Sequence, residues 1–250
     1  MGPLLETKLH IPRRPAIRMA RPRLSHRVGS GATSALTLIS APAGFGKTTV
    51  LTEWLDSLPA DRPSRGWLSL DQRDNDPVTF WTYVIAALRT AVGEEFGTAT
   101  MPLLQLSQAP LDAVVATLLN DLVALPEAVV LVLDDYHLID SPDVHESVAF
   151  LVDRLPAHVR LVIATRADPP LPLGRLRVDW RLIEVRAADL RFTDDETAAY
   201  LEHAFGGDAV GRRRDGTVGP DRGLGGRAAA GSPVDAGPGG RLVVRRRLRR

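Results

Sequence analysis

A short loop of small residues constrains this chain more than any other part of its sequence. The loop spans residues 41–49 (APAGFGKTT), follows the apolar run at residues 36–40, and leads into a helical pattern that begins near Gly46. A strand, a small-residue loop and a helix form the context in which a GK[ST] motif binds phosphate. The loop N–H groups and the positive end of the helix both favour an anion. The sequence therefore predicts a phosphate-binding loop.

Individual residues of this loop have separate predicted roles. Lys47 can reach the β- and γ-phosphates of ATP, and the Thr48 hydroxyl can coordinate Mg²⁺. The other loop residues that we expect to contact the phosphates are Ala43, Gly44, Phe45 and Gly46. Ala41 stands where the usual motif has its first glycine. The alternative interpretation is a glycine-rich turn that happens to end in Lys-Thr.

Two adjacent carboxylates mark the end of a second strand. Residues 128–133 are almost all β-branched or leucine, which is typical of a central parallel strand, and Asp134 and Asp135 follow them. An aspartate at such a strand tip beside a phosphate loop makes the contact to Mg²⁺, and we assign that role to Asp134. We expect Asp135 to orient or activate the attacking water. For His137, an acid–base role and an ordinary packing role both stay open.

Three aspartates follow another predicted strand, at residues 66–71. Asp71 and Asp74 are candidates for the γ-phosphate side of the site, because the carboxyl ends of parallel strands face the ligand crevice. Asp76 precedes Pro77, and this pair instead indicates a helix N-cap with proline at the first helical position.

An arginine follows the strand that is predicted at residues 158–164. Arg166 lies just beyond this strand, and a guanidinium there can bind the γ-phosphate and so distinguish ATP from ADP. The alternative is an ordinary arginine that pairs with a surface carboxylate.

The strands alternate with helical patterns, and a short fifth strand is predicted at residues 182–185. This pattern predicts an α/β fold, a P-loop NTPase with a mostly parallel five-stranded sheet flanked by helices. The chain has 250 residues, of which 44% are hydrophobic, which is enough for one sizeable core. The lack of cysteine excludes a disulfide scaffold and a Cys-type zinc site. Without a membrane-spanning run or a signal peptide, we expect a soluble cytoplasmic protein with no membrane partner.

The two ends of the chain differ from the predicted NTPase domain at residues 31–205. Residues 1–30 are basic and interrupted by prolines, so we predict an extended arm with one short helix near residues 24–28. The arm could lie over a bound nucleotide or pack on the domain surface. Residues 206–250 are rich in Gly, Arg and Pro and predict a disordered, low-complexity tail. Because the tail residues mostly have GC-rich codons, our hypothesis is a shifted reading frame, which the nucleotide sequence would test.

Charge is distributed unevenly along the chain. The formal net charge is +1, but residues 212–250 carry +8, which leaves −7 for the rest. A mildly acidic body does not favour nucleic acid as its first partner.

Taken together, the motifs resemble the nucleotide-binding module of the large ATP-binding LuxR-family transcription regulators of the MalT type, within the STAND class of P-loop NTPases. The matching stretches, from about residue 8 to about residue 204, are KLHIPR, RPRL, SAPAGFGKTT, WLSLD, DNDP, FW, VLVLDDYH, TRADPPLPLGRLR and ADLRFTDDE. The substitution of alanine for the first loop glycine is itself usual in this family.

The resemblance implies a switch that hydrolyses ATP slowly, more than an enzyme of rapid turnover. ADP would hold a resting monomer, and ATP with an inducer would favour a self-associated form. A C-terminal helix-turn-helix that is missing from this chain would bind promoter DNA. By position, the resemblance adds Thr49 to the phosphate-binding residues and implies that Arg23, in RPRL, lies near the base or the phosphates. It implies the same roles as above for Asp134, Asp135 and Arg166.

Two other functional interpretations stay open from the sequence. One is a stand-alone P-loop ATPase or kinase with its own substrate pocket, although no long lid with extra catalytic residues is visible in the sequence. The other is a truncated product without function, which lacks the sensor and output domains of such regulators.

Overall fold

Five parallel strands form one sheet in a computed structural model of the protein. The structure describes residues 4–13, 21–30, 34–59, 63–106 and 110–211, with side chains described as far as residue 202. The described residues up to Asp208 form one compact unit. The predicted tail lies almost wholly outside the described residues.

The strand order places three strand tips side by side. The sheet runs β2-β3-β4-β1-β5, and every neighbouring pair is parallel. The strands are β1 (Leu36–Ser40), β2 (Ser64–Ser69), β3 (Val129–Asp134), β4 (Val159–Thr165) and β5 (Leu182–Arg186). Because β4 lies between β1 and β3, the segments that follow these three strands meet at one edge of the sheet. This arrangement confirms the predicted α/β fold with a five-stranded parallel sheet.

Helices cover both faces of the sheet. They are α1 (Pro22–Gly29), α2 (Lys47–Ser57), α3 (Pro77–Val92), α4 (Thr100–Leu104), α5 (Leu111–Val123), α6 (Pro142–Arg154), α7 (Leu173–Val178), α8 (Ala187–Leu190) and α9 (Asp194–Gly211). One core cluster joins the sheet to α3, α5 and α6, and the other joins it to α1 and α2. In β3, Leu131 and Leu133 belong to the first cluster and Val130 and Val132 to the second. Burial on both faces explains why this strand is apolar at successive positions.

The strand β2 differs from its prediction in position. It spans Ser64–Ser69 instead of residues 66–71, so Asp71 lies beyond the strand. The Asp71 carboxylate accepts a hydrogen bond from the Arg73 N–H and caps a 3₁₀ turn. Asp76 caps α3 by accepting from the Thr79 N–H at 2.8 Å, which confirms the predicted N-cap.

The described part of the basic arm packs against the NTPase core. Lys8 Nζ donates to both carboxylate oxygens of Asp74 at 2.6 Å, and Asp74 is fully buried. The same ammonium lies 4.1 Å from the centre of the Tyr83 ring. Asp74, a candidate for the γ-phosphate side, is therefore committed to an ion pair with the arm. The predicted short helix is present as α1, in which Leu24 and Val28 are buried.

We expect Lys8→Met to lower the free energy of unfolding by about 3–5 kcal/mol, because it leaves the buried Asp74 carboxylate without its partner. Urea denaturation of both proteins measures the difference. Arg175→Met is the matched control, since Arg175 pairs with Asp153 at 3.3 Å on the surface. Loss of an exposed pair costs about 1 kcal/mol or less. Equal effects of the two substitutions would contradict the assignment.

Candidate nucleotide-binding site

Two glycines give the phosphate loop its shape. The loop connects β1 to α2, and Gly44 (φ 81°) and Gly46 (φ 73°) both have left-handed backbones. A Cβ atom at either position would meet nothing within 4 Å, so the requirement for glycine comes from the backbone angle and not from space. Ala41 is buried in the core, and its φ is not positive. The structure therefore places no demand for glycine at position 41.

Lys47 is folded back onto its own loop. Its Nζ donates to the carbonyl of Ala41 at 2.8 Å and to that of Pro42 at 3.0 Å, and the residue is only 8% exposed. Burial lowers the pKa of Lys47, while the charges of Asp135 and Asp134 act in the opposite direction. The ammonium is thus held by backbone carbonyls of its own loop.

Thr48 and Asp134 meet although 86 residues separate them in sequence. The Thr48 hydroxyl donates to Asp134 Oδ2 at 2.8 Å, and Asp134 Oδ1 accepts from the Asp135 N–H at 3.0 Å. Asp134 is 3% exposed, and burial raises its pKa, which the hydrogen bond from Thr48 partly offsets. The loop helix α2 and the tip of β3 position these two oxygen ligands, which are of the type that Mg²⁺ takes.

Thr48 and Asp134 suit Mg²⁺ better than a metal ion that is coordinated entirely by protein side chains. Within the described ranges there is no group of three or more His, Asp or Glu side chains that could hold a metal ion. Mg²⁺ is usually bound by one or two protein oxygens and completes its shell with waters and phosphates. Thr48 and Asp134 fit that requirement.

Asp135 adopts a backbone conformation that is uncommon outside glycine. Its φ is 58° and its ψ is 34°, and it leads directly into the 3₁₀ turn Tyr136–Leu138. Aspartate tolerates this left-handed region better than most residues, and such conformations concentrate at functional sites. The side chain is 47% exposed. The turn thus presents one carboxylate to solvent directly beside the buried carboxylate of Asp134.

Arg166 lies close enough to this group to act on it electrostatically. It follows β4, is exposed, and its charge contributes to lowering the pKa values of Lys47 and His137. Among the residues that the structure describes, no ion pair to Arg166 is formed. The surface-pair alternative is therefore not seen there, and its role at the γ-phosphate stays a prediction.

Arg23 is engaged with the segment that leads into α9. Its Nε and Nη2 donate to the two carboxylate oxygens of Glu196 at 2.9 Å. Further donors of the same guanidinium bind the carbonyls of Asp189 and Arg191 at 2.6 Å. Four of the five guanidinium N–H groups are thereby used. A role at the base or the phosphates stays a prediction, and it would require Arg23 to leave these partners.

The contact between Arg23 and Glu196 is one that sequence reasoning missed. The sequence TDDE indicates a capping box, and this box is present, since Glu196 N–H donates to Thr193 Oγ1 and Thr193 N–H to Glu196 Oε2. Arg21 also lies 3.3 Å from Glu196. A carboxylate that caps a helix gives no signal in sequence that two distant arginines also bind it.

The sheet order, the phosphate loop and the contact between Thr48 and Asp134 define the class of the protein, which is a P-loop NTPase. The AAA ATPase domain family matches residues 13–163, and the chain belongs to this family.

The most informative relatives are bacterial regulators. The chain is 35% identical over 199 residues to the HTH-type transcriptional regulator MalT of Cronobacter sakazakii and to that of Yersinia enterocolitica. It is 33% identical to MalT of Klebsiella pneumoniae. Each match covers 80% of this chain and 22% of the relative, so the chain spans about a fifth of the length of these proteins. The chain therefore resembles one portion of MalT, as the motifs had predicted.

Solved structures share less with the chain. A structure of Drosophila ORC bound to DNA has 11% identity and a TM-score of 0.41, and covers 71% of this chain and 98% of its own. A structure of C. elegans PCH-2 has 10% identity and a TM-score of 0.37. The match covers 79% of this chain and 48% of the PCH-2 chain. In the part of the chain that the structure describes, no helix is long and apolar enough to cross a membrane.

We expect Asp134→Asn to leave the nucleotide-free protein at least as stable as the wild type at pH 7, with a gain of about 0.5–2 kcal/mol. Because the folded-state pKa of Asp134 is raised, ionisation costs stability as the pH rises from the ordinary aspartate pKa to the folded-state pKa, and this cost is complete above the latter. The gain should therefore shrink as the pH falls towards 4. Urea denaturation at pH 7 and pH 4 tests this. A variant that is clearly less stable at pH 7 would contradict it.

We expect Glu196→Gln to remove an acid-dependent part of the stability. Burial alone would raise the pKa of Glu196, but the hydrogen bonds from Arg23, Thr193 and Arg21 outweigh it and lower the pKa to about 2. The stabilisation is complete above about pH 4.5 and is lost as the pH falls towards 2. At pH 7 the variant should lose on the order of 1–2 kcal/mol.

Thermal unfolding from pH 7 to pH 3 measures the effect, and Glu202→Gln on the exposed face of α9 is the control. The control should follow the wild type at every pH. If the melting temperatures of Glu196→Gln and of the wild type fall in parallel as the pH is lowered, this carboxylate is not held by the arginines.

Proposed function

We propose that this chain is the nucleotide switch of a transcription regulator, which binds ATP and ADP with Mg²⁺ and hydrolyses ATP slowly. The observation that carries the proposal is the hydrogen bond between Thr48 and Asp134, which joins the phosphate loop to the tip of β3. The similarity to MalT supports the regulatory part of the proposal.

Each residue of the site has a task when nucleotide is bound. The N–H groups of the loop, through Ala43, Gly44, Phe45 and Gly46, hold the phosphates together with Thr49 at the start of α2. Lys47 leaves the carbonyls of Ala41 and Pro42 and turns to the β- and γ-phosphates. This exchange is favourable because carbonyl dipoles give way to a charged, hydrogen-bonded partner.

The hydrogen bond between Thr48 and Asp134 supports the proposed magnesium side of the site. Thr48 and Asp134 would exchange their mutual hydrogen bond for coordination of Mg²⁺, which neutralises phosphate charge when bound. The ion also compensates the buried Asp134 carboxylate, whose charge is costly in the nucleotide-free protein. Asp135 would orient the attacking water, and Arg166 would bind the γ-phosphate.

A switch needs two states with different affinities for ATP and ADP. A near-complete change of state requires that ATP and ADP differ by about 5.5 kcal/mol in their preference for one state over the other. Arg166 is the candidate for this discrimination, because ADP has no γ-phosphate for it to bind. We propose that the ATP state favours self-association, and that a helix-turn-helix elsewhere in the complete regulator binds promoter DNA.

We expect Lys47→Ala to weaken the binding of Mg²⁺–ATP at least about 100-fold, because it removes a charge-assisted contact to the phosphates. Titration calorimetry on the purified chain measures the dissociation constant. Arg175→Ala removes one positive charge from an exposed position and should bind as the wild type does. Unchanged binding by Lys47→Ala would remove the phosphate-loop assignment. Rapid turnover by the wild type would favour a stand-alone ATPase over a switch.

A further inference from the structure

His137 has an unusual environment for a buried histidine. Both of its ring nitrogens are buried, and neither has a hydrogen-bond partner among the described residues. An unsatisfied buried polar group destabilises the folded chain, and in a native protein it requires an explanation. His145 provides the contrast, since its Nδ1 shares a hydrogen bond of 3.0 Å with the Tyr136 hydroxyl. Of these two histidines, only His145 is accounted for by the fold.

The position of His137 connects it to the proposed nucleotide site. It lies in the turn that follows Asp135, at the carboxyl end of β3. Burial lowers its pKa, and the charges of Arg166 and Lys47 lower it further, whereas Asp135 acts in the opposite direction. All three charged residues are thus close enough to influence the ring. At neutral pH the ring is uncharged and offers one donor and one acceptor.

The spacing between His137 and Asp135 suits a bridging water. His137 Nδ1 lies 3.8 Å from Asp135 Oδ1, which is too long for a direct hydrogen bond. Because Nδ1 is buried in the present ring orientation, a water that bridges the two atoms requires the ring to turn. The Asp135 side chain is 47% exposed, so water has access to its carboxylate.

A cavity lies beside the His137 ring. It has a volume of about 550 Å³ and is lined by His137, by Thr165 at the end of β4 and by the following loop, including Ala167 and Asp168. Neither the phosphate-loop residues nor Asp135 and Arg166 are among its lining residues. The His137 ring lines this cavity, and its Nδ1 lies 3.8 Å from Asp135 Oδ1.

No hydrogen bond among the described residues holds the ring in its present orientation. The His137 side chain is 13% exposed although both nitrogens are buried, so its exposed part is carbon. The terminal torsion of histidine is soft, and here no hydrogen bond to the described residues would have to break. A turn of the ring would bring a nitrogen towards the cavity when a charged ligand arrives.

We propose that His137 is a further catalytic residue, which holds the attacking water together with Asp135. This inference rests on the proposed function of the site. The water oxygen forms a bond to the γ-phosphorus, the bond from that phosphorus to the bridging oxygen breaks, and ADP leaves with the electron pair. The proton of the water passes to the Asp135 carboxylate, and His137 fixes the water by a hydrogen bond.

The experiment compares the full chain with His137→Phe, which keeps a ring but removes its nitrogens, and with His137→Gln, which keeps a hydrogen-bonding side chain. We expect His137→Phe to lower kcat at least about tenfold while KM and the dissociation constants of ATP and ADP change less than about threefold. His137→Gln should recover part of the lost kcat. His145→Gln is the control, which should lower the melting temperature but keep kcat.

A second measurement does not depend on turnover. ADP with aluminium fluoride and Mg²⁺ mimics the state in which water attacks the γ-phosphorus, and we expect His137→Phe to bind it at least about tenfold more weakly than the wild type while ADP binding is kept. This measurement tests the proposed role of His137 even if wild-type hydrolysis is too slow to follow.

The outcomes separate this inference from the proposed function. If the wild type binds Mg²⁺–ATP and His137→Phe matches it in kcat or in affinity for the aluminium fluoride complex, His137 has no such role and the switch proposal stands. If His137→Phe loses ATP and ADP binding together, its role is structural and the inference is wrong. A wild type that does not bind Mg²⁺–ATP would reject the proposed function and this inference with it.

Discussion

The burial of one carboxylate organises the site. Asp134 stands at the end of a strand that is covered on both faces, and the hydroxyl of Thr48 compensates it only in part. A buried carboxylate with a raised pKa is unfavourable for the folded chain and favourable for cation binding. The strand order makes this possible, because β4 brings the tip of β3 next to the loop after β1. The buried carboxylate therefore makes this site favourable for a bound cation.

Lys47 is a second buried charged group of this site. Its ammonium is satisfied by two loop carbonyls, so that it is neither exposed nor unpaired. The two glycines of the loop adopt left-handed backbones without steric cost. His137 differs from these groups, because the fold has given it burial without a hydrogen-bond partner among the described residues.

The two described parts of the N-terminal arm hold different regions of the molecule. Lys8 reaches the buried Asp74 beyond β2, and Arg21 and Arg23 hold the segment that leads into α9. The helix α1 that carries these arginines also packs against α2, the helix of the phosphate loop. A single short helix is therefore in contact with both the phosphate-loop helix and the start of the last described helix.

The sequence by itself determined the sheet, its flanking helices and the phosphate loop, because these features depend on local pattern: apolar runs, glycine positions and helix caps. It also indicated which residues stand at strand ends, including Asp134 and Arg166. Only the tertiary structure decided the partners. Asp74 was a candidate for the γ-phosphate side and instead pairs with Lys8, and Arg23 is bound to Glu196. Ion pairs between residues 66 or 173 positions apart depend on how the elements pack, and no local pattern encodes that distance.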